Sequence, residues 1–88
     1  MVYTINVNDK KYRTTSKEQA ISLYIKDVLS TCNTVEECKD MKSELLNSCE
    51  NILENLGIGV KSNKSSFKRK VNTLVQDRII RINVIATK

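Results

Sequence analysis

Residues 78–87 read RIIRINVIAT, and reading this stretch as a strand decides the expected fold. In an extended chain Ile80, Ile82, Val84 and Ala86 share one face, and Ile79, Arg81, Asn83 and Ile85 the other. Ile and Val are β-branched, which suits a pleated surface. The spacing predicts a C-terminal strand over 78–87. A strand this apolar needs a partner, because a lone strand leaves a row of backbone groups unpaired.

The partner stands at the opposite end of the chain. Tyr3, Ile5 and Val7 alternate with Val2, Thr4 and Asn6. Asn8-Asp9 tolerates the positive φ of a tight turn. Lys10 to Thr14 then returns, with Tyr12 opposite Ile5. This is a β-hairpin over 2–14 whose inner face carries Tyr3 and Tyr12. A hairpin alone is marginal in water. The two ends together predict a three-stranded, mostly antiparallel sheet.

Helices fill the middle. Thr15 with Glu18, or Ser16 with Gln19, has capping-box spacing. Ala20, Ile21, Tyr24, Ile25, Val28 and Leu29 follow at three-and-four spacing, giving a helix over about 16–30. Thr34 with Glu37 opens a second helix, over 34–56, with Cys38, Met41, Leu45, Cys49, Ile52 and Leu56 in one stripe. Gly57 suits the left-handed position after its end. Two helices joined so closely are expected to pack antiparallel. Residues 58–66 read as a loop, with Ile58 and Val60 turned back to the core. Ser65 or Ser66 caps a third helix over 66–76, carrying Phe67, Val71, Leu74 and Val75. The expected fold is a single small α+β domain over 1–88, in the order ββαααβ, with the helices on one face of the sheet.

The chain has 88 residues, 40% hydrophobic and 28% charged, a globular balance for one modest core. No apolar run approaches the roughly 18 residues that span a bilayer, and the N-terminus lacks the pattern of a signal peptide. Cys32, Cys38 and Cys49 are an odd number, so reduced thiols in a cytoplasm are expected. Abundant Lys, Asn, Ile and Ser fits a low-GC bacterium, its phages or mobile elements.

No constellation argues for catalysis. Histidine, the commonest general base and zinc ligand, does not occur. No catalytic residue, metal site or cofactor is therefore expected. Cys38 and Cys49 read as core packing.

Charge is the remaining signal. Residues 1–33 carry net +2, residues 34–57 net −4 and residues 58–88 net +7. Glu36, Asp40 and Glu44 recur every four residues on the second helix, and Glu50 and Glu54 repeat the spacing. Like charges so placed destabilise a helix slightly, which marks a face for a basic partner. Lys61, Lys64, Lys68, Arg69 and Lys70, interleaved with Ser62, Asn63, Ser65 and Ser66, precede or open the third helix. The dipole there opposes positive charge, yet a basic, hydroxyl-rich helix start is a way to hold phosphate. With Asn72 and Arg81 they form the candidate partner- or phosphate-binding set.

Two functions follow. In size and lack of motifs the chain resembles small phage-encoded inhibitors of host defence, including anti-CRISPR proteins. That resemblance implies a non-enzymatic protein that binds and modulates or inhibits a larger protein handling nucleic acid, inside a bacterial or phage-infected cell. Alternatively it binds DNA or RNA directly. SSFKRKVNTLVQDRIIRINV resembles a winged-helix ending, which implies that Lys68, Arg69, Asn72, Thr73 and Gln76 face outward. The Gly57–Ser65 connection is longer than a helix-turn-helix turn, and no second wing strand follows. The outer sheet face, with Lys11, Arg13, Arg81 and Asn83, is a second surface for RNA. A homodimer would set the acidic helix of one copy on the basic segment of another.

Overall fold

The computed structural model describes residues 2–7 and 9–86, with side chains described at 2–6 and 9–84. Two strands, β1 (Tyr3–Val7) and β2 (Lys10–Thr14), precede four helices: α1 (Lys17–Leu29), α2 (Val35–Asn47), α3 (Cys49–Asn55) and α4 (Val60–Ala86). The class is α+β. The order is ββαααα, and the sheet among the described residues has two strands, not three.

The hairpin has the expected register. β1 and β2 are antiparallel, and Ile5 faces Tyr12 across them. Asn8 lies outside the described residues, but Asp9 takes φ +64°, the left-handed region that Asp enters more readily than most residues. Tyr3 and Ile5 are buried, and Tyr12 is half-buried against the core.

α1 begins where the capping box placed it. Ser16 Oγ accepts the Gln19 N–H at 3.3 Å. It ends because two hydroxyls compete for its last carbonyls: Ser30 Oγ donates to Asp27 O and Thr31 Oγ1 to Val28 O, at 2.6 and 2.8 Å. Thr34 caps α2, its Oγ1 accepting the Glu37 N–H at 3.1 Å.

The single helix expected over 34–56 is divided at Ser48, whose φ −99° and ψ 11° are not helical. Asn47-Ser48 is a pair of weak helix formers whose side chains offer the backbone other partners. The spine still runs through, since Ser48 N–H bonds Glu44 O and Ile52 N–H bonds Ser48 O. The bend keeps Cys49, Ile52, Leu53 and Leu56 buried. Gly57, at φ +74°, closes α3: its N–H bonds Glu54 O and that of Ile58 bonds Leu53 O. This is the doubly bonded Gly-terminated helix end, completed by apolar Ile58 beside Leu53.

The largest departure is α4. The loop expected at 58–66, the cap at Ser65 or Ser66 and the strand at 78–87 are replaced by one helix of 27 residues. Thr87 lies outside the described residues. The cause is visible in retrospect. No glycine or proline occurs between Val60 and Ala86 to stop a helix. Val60, Phe67, Val71, Leu74, Val75, Arg78, Ile79 and Ile82 also follow a helical stripe. A helix satisfies its own backbone, whereas a strand would have needed a free sheet edge. Lys68, Arg69 and Lys70 thus sit inside a helix and not in its first turn, so their conflict with the dipole does not arise.

Packing follows from α4. It lies against α1, α2 and α3, while the hairpin rests on α1. α1 and α2 both pack on α4 in place of the antiparallel pairing expected between them, and the sheet is covered by α1 and not by a layer of helices. Phe67 is fully buried at the centre. Two polar clamps hold α4 to the α1 side: Lys70 Nζ donates to Ser22 Oγ at 3.2 Å, and Arg78 donates from Nε and Nη2 to Cys32 O at 3.2 and 2.8 Å. The described residues extend 44 × 23 × 17 Å. Twenty-seven helical residues at 1.5 Å each span about 40 Å, which accounts for the long dimension.

Candidate functional site

α4 sorts the predicted basic residues by helical angle. Lys61, Lys64, Lys68 and Asn72 are spaced three, four and four apart, which stacks them in one ridge. This ridge borders α3, where Lys64 Nζ meets Glu50 Oε1 at 2.8 Å. The hydrogen bond and the charge of Lys64 hold the Glu50 carboxyl below its ordinary range, and Glu50 in turn raises the Lys64 ammonium. Arg69 is exposed, a position on. Lys70 lies on the opposite flank, bonded to Ser22 of α1. Arg81 stands three turns beyond. One predicted patch is therefore divided among several parts of a helix surface.

The five predicted acidic residues are all exposed. Glu36, Asp40 and Glu44 keep their four-residue ladder on α2. Glu50 and Glu54 continue it on α3 past the bend at Ser48. α2 and α3 both pack against α4 through their buried stripe, and the acidic ladder meets the basic ridge at Glu50, which pairs with Lys64. A shallow cavity of about 300 Å³ marks part of the seam, lined by Asn47, Glu50, Asn51, Lys64 and Lys68 among others.

The nucleic-acid surfaces fare unequally. Lys68, Arg69, Asn72, Thr73 and Gln76 are exposed as expected. The wing that should follow is absent, since 78–86 continues the helix. Arg81 and Asn83 lie on α4, so they share no sheet face with Lys11 and Arg13.

A second cavity, of about 360 Å³, had no sequence counterpart. It lies between the end of α1 and the later half of α4, with Lys26, Arg78, Arg81, Asp77 and Ser30 around Leu29 and Leu74. Lys26 and Arg78 were missed. Their only sequence signal is that Arg78 falls on the buried stripe once 60–86 is read as one helix.

The three cysteines are buried and reduced. Burial raises the thiols of Cys32 and Cys49, Cys32 further by the neighbouring Cys38 and Cys49 less because Lys68 and Lys64 are near. Such thiols stay protonated at neutral pH and pack as small apolar groups. Among the described residues no three Cys, Asp or Glu side chains come together as a metal-binding group, and no helix is long and apolar enough to cross a membrane. No protein-family model, curated protein or solved structure gives a significant match to the chain.

Proposed function

We propose that the chain is a non-catalytic interaction protein that docks on a larger, nucleic-acid-handling protein and modulates or inhibits it. We place that action in the cytoplasm of a bacterial or phage-infected cell, in the manner of the small anti-defence inhibitors it resembles in kind. The observation that carries the reading is the juxtaposition of opposite charge. Glu50 of the exposed acidic ladder engages Lys64 of the α4 ridge. A phosphate backbone laid on the ridge would meet the Glu50 carboxylate, which repels it and already occupies Lys64. A protein surface of alternating sign accommodates both, and such complementarity governs register and partner choice.

The test pairs two assays. Labelled single- and double-stranded DNA and RNA are titrated by fluorescence anisotropy at about 50 and 200 mM salt, where phosphate-driven binding changes steeply. The reading expects no micromolar binding at the higher salt. It also expects a tagged copy to retain a partner from a bacterial lysate, and to lose it when Glu36, Asp40 and Glu44 are all changed to Lys. Micromolar nucleic-acid binding that disappears in Lys68→Glu with Arg69→Glu overturns it in favour of direct nucleic-acid recognition.

A further inference from the structure

We infer that the cleft between α1 and the C-terminal half of α4 is a docking site for an acidic, amphipathic segment of a protein partner. The inference rests on the protein-partner reading above and adds a surface and a chemistry which that reading does not use.

The cleft has the composition of a carboxylate acceptor. Lys26, Arg78 and Arg81 line it against the single carboxylate of Asp77. Arg78 is preorganised, its guanidinium held by two bonds to the Cys32 carbonyl. That bond turns one edge of the fork inward and leaves its remaining N–H groups for another acceptor. Among the described residues neither Lys26 nor Arg81 has an ion-pair partner. Leu29 and Leu74 supply an apolar floor.

An apolar ridge borders these cations. Ile80 and Val84 are about half exposed, at 50% and 54%. They are four apart on α4 and therefore adjacent, and so are Asp77 and Arg81. On a helical projection the two pairs are neighbours, which sets apolar contact beside the cationic cleft. Free phosphate would use the cations and ignore the ridge. An apolar partner would use the ridge and leave the cations desolvated and unpaired, at a cost. A segment with carboxylates on one side and Leu-like side chains on the other uses both.

The test uses the full chain and a fluorescein-labelled peptide of about 14 residues, long enough for helical Glu and Leu at three-and-four spacing. Two control peptides replace Glu with Gln or Leu with Ser. The Glu/Leu peptide is expected to bind below about 100 µM, and each control at least about tenfold more weakly. Arg81→Glu and Lys68→Glu change the net charge equally. The first should weaken binding about tenfold and the second less than about twofold. Ile80→Ser should weaken it as well, and amide NMR shifts should concentrate at Lys26, Ser30 and residues 77–84. No binding at about 1 mM overturns the inference. So does equal binding of the Gln peptide, or an equal loss in Lys68→Glu, which would mark a net-charge effect. Inorganic phosphate that shifts the same amides while the peptide does not would make the cleft a small-oxyanion pocket instead. If the peptide fails while lysate capture still depends on Glu36, Asp40 and Glu44, the cleft assignment falls and the protein-partner reading stands.

Discussion

Individual side chains explain where each element starts and stops, and they can be tested singly. Thr34 both accepts the Glu37 N–H and donates to Glu37 Oε1, at 3.1 and 3.3 Å. Thr34→Ala should cost about 1 kcal/mol in urea denaturation. Gly57 is held at φ +74° with open space where a Cβ would stand, so Gly57→Ala isolates backbone strain. It should cost about 1–2 kcal/mol and leave partner binding unchanged. The thiols give a pH dependence. Cys32 and Cys49 are raised in the folded chain, mainly by burial. Above the ordinary thiol value of about 8.5 the unfolded chain has lost those protons while the folded chain keeps them, so rising pH favours unfolding. Melting temperature should be flat near neutrality and decline on the alkaline side. The same thiols should react with a thiol reagent only as fast as the chain opens. These residues were legible in sequence because caps and left-handed glycines act within four or five positions.

At the level of elements, local and tertiary preferences part. The hairpin and α1 appear as read, since alternation and capping agreed there. Ser48 is a subtler case: the apolar stripe from Cys38 to Leu56 is continuous, and nothing in its period signals the bend. For α4 the alternation of Ile80, Ile82 and Val84 competed with a helical stripe that began twenty residues earlier. Two periods fitted the same residues, and local pattern could not choose between them. The choice is tied to Arg78, which lies on the helix face toward the α1–α2 connection and bonds Cys32 O. Arg78→Ala should cost about 1.5–3 kcal/mol, the range for hydrogen bonds from a charged group, and should increase amide exchange in α4 beyond residue 78. Replacing it with Lys should recover little, because a single ammonium cannot reproduce the two-pronged bond.

For the whole molecule, charge placement and stability separate. The ladder of Glu36, Asp40 and Glu44 is exposed and mutually repulsive, so it costs folding stability and does not add to it. Asp40→Lys should raise stability by a few tenths of a kcal/mol while weakening partner capture. A double-mutant cycle at Lys64 and Glu50 should show a small coupling that vanishes at about 1 M salt, as expected for an exposed pair. The candidate residues themselves were legible as charge runs, and every one of the five acidic positions is exposed. Their grouping was not. Helical angle divides Lys70 from Lys68, and it carries Arg81 to a cleft completed by Lys26, fifty-five positions earlier. What the sequence by itself determined is local: the hairpin register, the caps of α1 and α2, the glycine stop and the alternating sign of successive segments. Each depends on groups within a few residues of one another. Only the tertiary structure decided that residues 78–86 are helical, that the sheet among the described residues has two strands and that Glu50 meets Lys64. The reason is that a β-branched segment adopts whichever geometry satisfies its backbone, and here α1, α2 and α3 offered α4 a face to pack on while the hairpin offered no third strand.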